Sequence, residues 1–248
     1  MSQNDHLDDL AFCEEYLVKV SRTFAINIKI LKGNSYKGLL LAYLLCRIAD
    51  TIEDDPGFPV FFKAQKLCEY SELLPPSLDY KDQIENFLKD ITFKQESDSS
   101  DLLMNTVRVF NEFVRLPDNM ISVISAHVKE MAVGMASFQK KASDDGIIFL
   151  EDQEELDRYC YFVADTVGLM ITSIFSENSQ RITPEIKKKL QERSVAFGLG
   201  LQITNIAKDF YGDRERGWCY VPRSFFIEEG IDPVNDSSEK ALFSGSIG

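Results

Sequence analysis

Tyr36 to Asp54 constrains the fold more than any other stretch. It is apolar on nearly every helical face, through Leu39-Leu40-Leu41-Ala42-Tyr43-Leu44-Leu45-Cys46, and only its last turn is charged. A helix that is apolar all round has to be enclosed by other helices, so this one is expected in the middle of a bundle. Asn34-Ser35 supplies a start signal, and Pro56, Gly57 and Pro59 end it. Helical spacing or punctuation gives it neighbours over residues 7–20, 60–73, 80–91, 102–116, 119–141, 151–178 and 184–212, the last opened by Thr183-Pro184. Ser21-Arg22-Thr23-Phe24-Ala25 opens a short element, Lys94 to Asp101 reads as a loop, and Ser143-Asp144-Asp145-Gly146 as a turn. Past Pro222 a short helix-like piece runs into a tail ending Ser244-Gly245-Ser246-Ile247-Gly248. No alternating pattern is long enough for a sheet. The expectation is an all-α fold, one domain over residues 1–248.

The charged turn is the second constraint. Asp50 and Asp54 fall one above the other on one helical face with Glu53 beside them, and Asn205, Asp209 and Asp213 form a ladder at the same spacing. Like charges at that spacing repel, and acids at a helix C-terminus oppose the macrodipole, by roughly 0.3–1 kcal/mol each. One such cluster is ordinarily a solvated face. Two of them amid apolar helical residues, each with a base alongside (Arg47, Lys208), fit a metal–diphosphate clamp better. Mg²⁺ prefers hard oxygen ligands and keeps waters and phosphates in its shell. A calcium EF-hand needs a Gly at its sixth position and 1,3,5 spacing, both absent.

Composition narrows the class. A formal net charge of −13 argues against a general nucleic-acid binder. Five scattered cysteines without a CxxC read as reduced thiols in the cytoplasm, and two histidines make a His-based zinc site a poor fit. The polar start is no signal peptide, and the apolar run from Leu39 to Cys46 is too short to span a bilayer. Any membrane contact is expected to be peripheral or through a segment outside this sequence.

The motifs, taken in order, resemble the squalene/phytoene synthase family of head-to-head prenyl transferases. They are Ser21 to Ala25, Cys46 to Asp55, Met131 to Ala136, Tyr159 to Gly168, Gly198 to Asp213, and Arg216-Gly217-Trp218-Cys219-Tyr220-Val221-Pro222. The resemblance implies an isoprenoid synthase fold and Mg²⁺-dependent condensation of two prenyl diphosphates, farnesyl diphosphate first, through a cyclopropyl intermediate. Squalene synthases then reduce it with NADPH; dehydrosqualene and phytoene synthases do not. The Asp-Thr-Ile-Glu-Asp-Asp form is more like squalene synthases. A non-catalytic binding or assembly protein and a class I terpene cyclase remain as rivals.

By the same resemblance, Asp50, Glu53, Asp54, Asn205, Asp209 and Asp213 match metal positions. Arg22, Arg47 and Lys208 match positions that contact diphosphate or NADPH, and Tyr159 a tyrosine of the first half-reaction. Ser21, Phe24 and Tyr43 are candidate pocket liners, equally readable as packing, and Gln202 could orient a bound water or phosphate. Two departures stand out. Asp165 occupies a position where the family usually carries a small residue, so its carboxylate is expected to face the cavity or its rim. The family also continues for further helices past the point where this sequence stops. Gly134, Ala136, Ala164, Gly168, Gly198 and Gly200 read either as close helix packing or as tunnel wall.

Overall fold

Helix α3 (Gly33–Asp54) runs through the bundle, with Leu40, Leu44, Leu45, Ile48, Ala49 and Ile52 wholly buried. The computed structural model describes residues 3–21, 23–141 and 147–233; Arg22, the Ser143–Gly146 turn and the Ser/Gly tail lie outside the described residues. Around α3 pack α1 (Gln3–Val20), α4 (Val60–Glu72), α8 (Asp118–Gln139) and α10 (Thr166–Asn178). Enclosure on several sides is what an all-apolar helix requires. The short α2 (Phe24–Lys29) lies against the first half of α3, and α5 (Tyr80–Leu88) packs on α4.

Helix starts differ from the sequence reading where capping decides them. Asn34-Ser35 lie inside the first turn of α3, which begins at Gly33 with φ 61° after an extended Lys32. The segment 102–116 is two helices, α6 (Asp98–Met104) and α7 (Thr106–Phe113). Ser97 and Ser100 form a reciprocal capping box that starts α6 inside the expected loop, and Asn105 (φ −102°, ψ 22°) breaks the run.

Residues 153–178 are helical throughout but not uniformly α. Helix α9 (Gln153–Cys160) passes into α10 through a π-helical turn, Tyr161–Asp165. Gln153–Glu177 is by length and composition apolar enough to cross a membrane, and in this fold it packs against α8 and α11 (Pro184–Glu215). Two strands of two residues each, β1 (Ile148–Phe149) and β2 (Trp218–Cys219), pair in parallel. They are too short to show alternation in sequence. With α12 (Arg223–Glu228) they build a smaller core around Phe149, Leu156, Tyr159, Phe210, Trp218 and Phe226. Helix α11 buries little beyond Gly198, Ile206, Phe210 and Asp213, leaving Phe197 72% exposed.

Three of the small residues, Gly134, Gly168 and Gly198, are packing positions. A Cβ at Gly134 would fall inside the Phe162 ring, one at Gly168 would lie 3.1 Å from Ser194, and one at Gly198 would stand 2.7 Å from Asp165 Oδ1 and 3.2 Å from the Ala164 backbone. Gly134→Ala is therefore expected to destabilise the protein by about 1–3 kcal/mol through overpacking. Gly200 meets nothing within 4 Å, so Gly200→Ala should stabilise α11 by up to about 1 kcal/mol. Urea unfolding of the two variants checks the pair; equal shifts would show that packing is not what selects glycine.

Candidate active site

The C-terminal turn of α3 carries Asp50, Glu53 and Asp54 as a row that runs from the interior to the surface: Glu53 is buried, Asp50 half-exposed and Asp54 exposed. Glu53 is 7% exposed and its Oε1 has no hydrogen-bond partner. Burial, with Asp54 and Asp50 alongside, pushes its carboxyl up to about 8. Asp50 is pushed up to about 7 by the same loss of water, against the pull of Arg47 and with a push from Asp54. Its side chain keeps 36% of its surface exposed, so water screens it more than it screens Glu53. Gln139 lies beside Glu53 without completing a hydrogen bond. From α4, buried Lys63 donates from Nζ to the Glu53 carbonyl at 2.7 Å, and burial holds its ammonium below its usual value.

Helix α11 faces this row with its last turns. Asp213 is buried and raised by desolvation against its pairing with Arg216. Arg216 joins the two helices: Nη1 is 3.7 Å from Asp54 Oδ1, and Nη2 donates to Asp213 Oδ1. Farther up α11, Asn205, Lys208 and Asp209 are exposed and Gln202 is half-buried. Lys208, 73% exposed, stands 3.7 Å from Asp209. Among the described residues no hydrogen bond or ion pair ties Gln202, Asn205 or Lys208 to the α3 row.

Behind the acids stands an aromatic stack. Tyr159 lies on Tyr220 at 4.4 Å between ring centroids, Tyr220 on Trp218 at 5.4 Å, and Phe138 meets Tyr159 edge-on at 5.3 Å. Burial, with Tyr220 and Glu53 adding, drives the Tyr159 phenol well above its usual value. The parallel strand pair sets this geometry, because β2 fixes where Trp218 and Tyr220 stand.

Along α3, Tyr43, Arg47, Asp50 and Asp54 follow one face. Arg47 donates from Nη2 to Ser99 Oγ at 3.3 Å and lies 4.0 Å from Asp50, while its buried Nε has no partner. Ser21 Oγ accepts from the Ala25 N–H at 3.2 Å, which satisfies one donor in the first turn of α2. Tyr43 donates to the Val20 carbonyl at 3.1 Å, and half-exposed Phe24 stands 5.9 Å from its ring. The structure thus gathers Asp50, Glu53, Asp54, Asp213, Arg47 and Tyr159, and adds Lys63, Gln139, Arg216 and Tyr220, which the sequence reading did not assign to the site. Arg216 and Tyr220 lie in the Arg216–Pro222 motif; Lys63 and Gln139 carry no sequence signal.

Asp165 sits in the π turn, 5% exposed, with Oδ1 unpartnered against Gly198 of α11. It lies in the seam between helices rather than at the acidic clamp. Burial, with Asp157 adding, pushes it up to about 6. The folded protein therefore holds a proton that the unfolded chain releases at lower pH, and stability is lost as pH rises through about 6. Asp165→Asn is expected to stabilise the protein at pH 8 by on the order of 1 kcal/mol and to change nothing at pH 3.5. Chemical unfolding at the two pH values reads this; equal effects at both would remove the carboxyl's charge as the cause.

Known proteins share this arrangement of helices. The squalene synthase of Schizosaccharomyces pombe is 29% identical over 234 residues, 93% of this chain and 48% of the relative. That of Mycosarcoma maydis is 34% identical over 236 residues, 95% of this chain and 38% of the relative. The chain spans about half the length, or less, of the curated relatives it matches. The solved complex of TcSQS with the ligand BPH1237 superposes with a TM-score of 0.73 at 28% identity, over 91% of this chain and 61% of that one. A dehydrosqualene synthase in complex with ligand gives 0.59 at 18% identity over 92% and 66%, a likeness of fold alone. The architecture is the isoprenoid synthase fold. The squalene/phytoene synthase profile matches residues 17–244, which takes in every segment from Ser21 to Pro222 that carries the resemblance, and the chain belongs to that family.

Proposed function

We propose that the chain catalyses Mg²⁺-dependent head-to-head condensation of two farnesyl diphosphates, through a cyclopropyl diphosphate, releasing pyrophosphate and leading to squalene. The observation that carries this reading is the acidic row of α3, with Glu53 buried and its Oε1 left unpartnered, facing buried Asp213 of α11. The donor set is all oxygen, which fits a hard divalent cation. Among the described residues no three acidic side chains close on one point. That suits Mg²⁺, which takes few carboxylates directly and completes its shell with water and substrate phosphates. Asp50, Glu53 and Asp54, with Asn205, Asp209 and Asp213, would hold it. Bound there, Mg²⁺ would neutralise charge developing on the leaving pyrophosphate.

The chain's own groups do the rest. Arg47 has a spare buried donor, Nε, for a phosphate oxygen. Tyr159 stays a neutral phenol at working pH and can give or relay a proton at its hydroxyl. Squalene as product requires NADPH, and similarity to squalene synthases supports that product, with Arg47 and Lys208 at positions that the resemblance gives to diphosphate or NADPH contact. The free cysteines support a cytoplasmic setting, with peripheral membrane contact where an apolar product leaves.

Incubation with farnesyl diphosphate and Mg²⁺, with and without NADPH, tests the reading. Pyrophosphate release is expected in both arms and squalene only with NADPH. No release in either arm would refute the enzymatic reading. Release that gives only dehydrosqualene or the cyclopropyl compound would replace squalene synthase with the NADPH-independent alternative.

A further inference from the structure

Arg216 is held in place by its backbone before its side chain makes any contact. It closes α11, its N–H bonded to the Gly212 carbonyl at 3.2 Å and the Asp213 carbonyl at 3.0 Å. Gly217 follows with φ 87°, a left-handed turn that favours glycine, and sends the chain into β2 and the Trp218–Tyr220 stack. The guanidinium is thereby delivered between two helices, where one planar fork takes Asp54 of α3 and Asp213 of α11. The same residue lies near Tyr220 and helps depress the Lys63 ammonium, so its charge is felt in the acidic corner.

These are two of the carboxylates that the proposed clamp would present to a cation. A guanidinium and a divalent ion cannot both occupy the same carboxylate lone pairs at full strength, because they repel each other and compete for the same oxygens. Arg216 keeps 39% of its side chain exposed, enough to swing, and its fork matches phosphate oxygens as well as carboxylates. We propose that Arg216 is an internal counter-ion that ties Asp54 to Asp213 in the protein without bound cation and exchanges those carboxylates for the substrate's diphosphate when the divalent ion arrives. The proposal rests on the clamp reading above. It makes Arg216 a diphosphate-binding residue whose resting partners are the acids it gives up.

Calorimetric titration tests it with two probes, Mg²⁺ alone and inorganic pyrophosphate in saturating Mg²⁺, on the parent chain, Arg216→Gln and Arg216→Lys. Arg216→Gln is expected to bind Mg²⁺ alone several-fold more tightly and pyrophosphate about tenfold more weakly, the scale of one lost charge-assisted hydrogen bond. Arg216→Lys keeps the charge and loses the fork, so it should move both affinities in the same directions by less. Should Arg216→Gln fail to fold, the Lys variant carries the test with the same opposed shifts. If the parent binds both probes and neither variant gains Mg²⁺ affinity, the exchange is wrong and the clamp stands. If pyrophosphate affinity does not fall, Arg216 is not its ligand. If the parent binds no pyrophosphate in Mg²⁺, the clamp reading falls and the exchange with it.

Discussion

Glu53→Gln is expected to resist urea better than the parent at pH 9 without Mg²⁺, and to lose Mg²⁺-dependent binding of a non-hydrolysable farnesyl diphosphate analogue. The first effect follows from burial. With its carboxyl pushed from 4.5 up to about 8, the folded protein binds a proton that the unfolded chain has already released, so the parent loses stability as pH rises between those values. A neutral amide has no charge to bury, and the gain at pH 9 should be on the order of 2 kcal/mol, vanishing near pH 4. The second effect follows from ligand chemistry. An amide oxygen binds Mg²⁺ more weakly than a carboxylate, and one lost charged contact should lower analogue affinity at least tenfold. Opposite signs on stability and binding mark a residue whose charge is kept for a ligand. Equal stability at pH 9 would show the charge is compensated within the protein, and unchanged binding would remove Glu53 from the clamp.

The acids were legible in the sequence because their spacing is a one-dimensional signal: Asp50 and Asp54 share a face on any straight helix. The enclosure of α3 was legible for the same reason, since apolar residues on all faces leave only one place for a helix to lie. What the spacing does not say is which acid is deepest. Glu53 reads as the flanking member, yet it is the most buried of the three, because α4 crosses there and Lys63 fastens its backbone carbonyl. Arg216 and Tyr220 lie in a recognisable motif, but their work depends on a strand pairing of two residues and on the turn at Gly217. No periodicity reveals elements that short. Asn105 and the π turn at Tyr161–Asp165 divide segments whose hydrophobic pattern runs straight through them. At Ser97 a local capping box outweighs the polar character that marks a loop, and there the sequence carried the information in a pair, Ser97 and Ser100, rather than in composition.

Tyr159→Phe is expected to lower pyrophosphate release by about a hundredfold, the lower range for losing a positioned proton donor, while changing analogue affinity by no more than about twofold. The ring is retained, so its stack on Tyr220 at 4.4 Å and its edge contact with Phe138 at 5.3 Å survive, and with them the smaller core. Only the hydroxyl is removed, and that hydroxyl is the part near Tyr220, Glu53 and Asp54. Because burial drives the phenol well above its usual value, it cannot serve as a phenolate at neutral pH. A donor of this kind adds no limb to the rate profile below pH 9, so parent and variant profiles should differ in height and share a shape. A structural role predicts something else: Tyr159→Phe would then melt lower, with release intact in the folded fraction. Measuring release per folded molecule separates the two, and a parent-like rate at parent-like stability would leave Tyr159 as a packing residue and pass the proton to Tyr220, whose own Phe variant would then carry the loss.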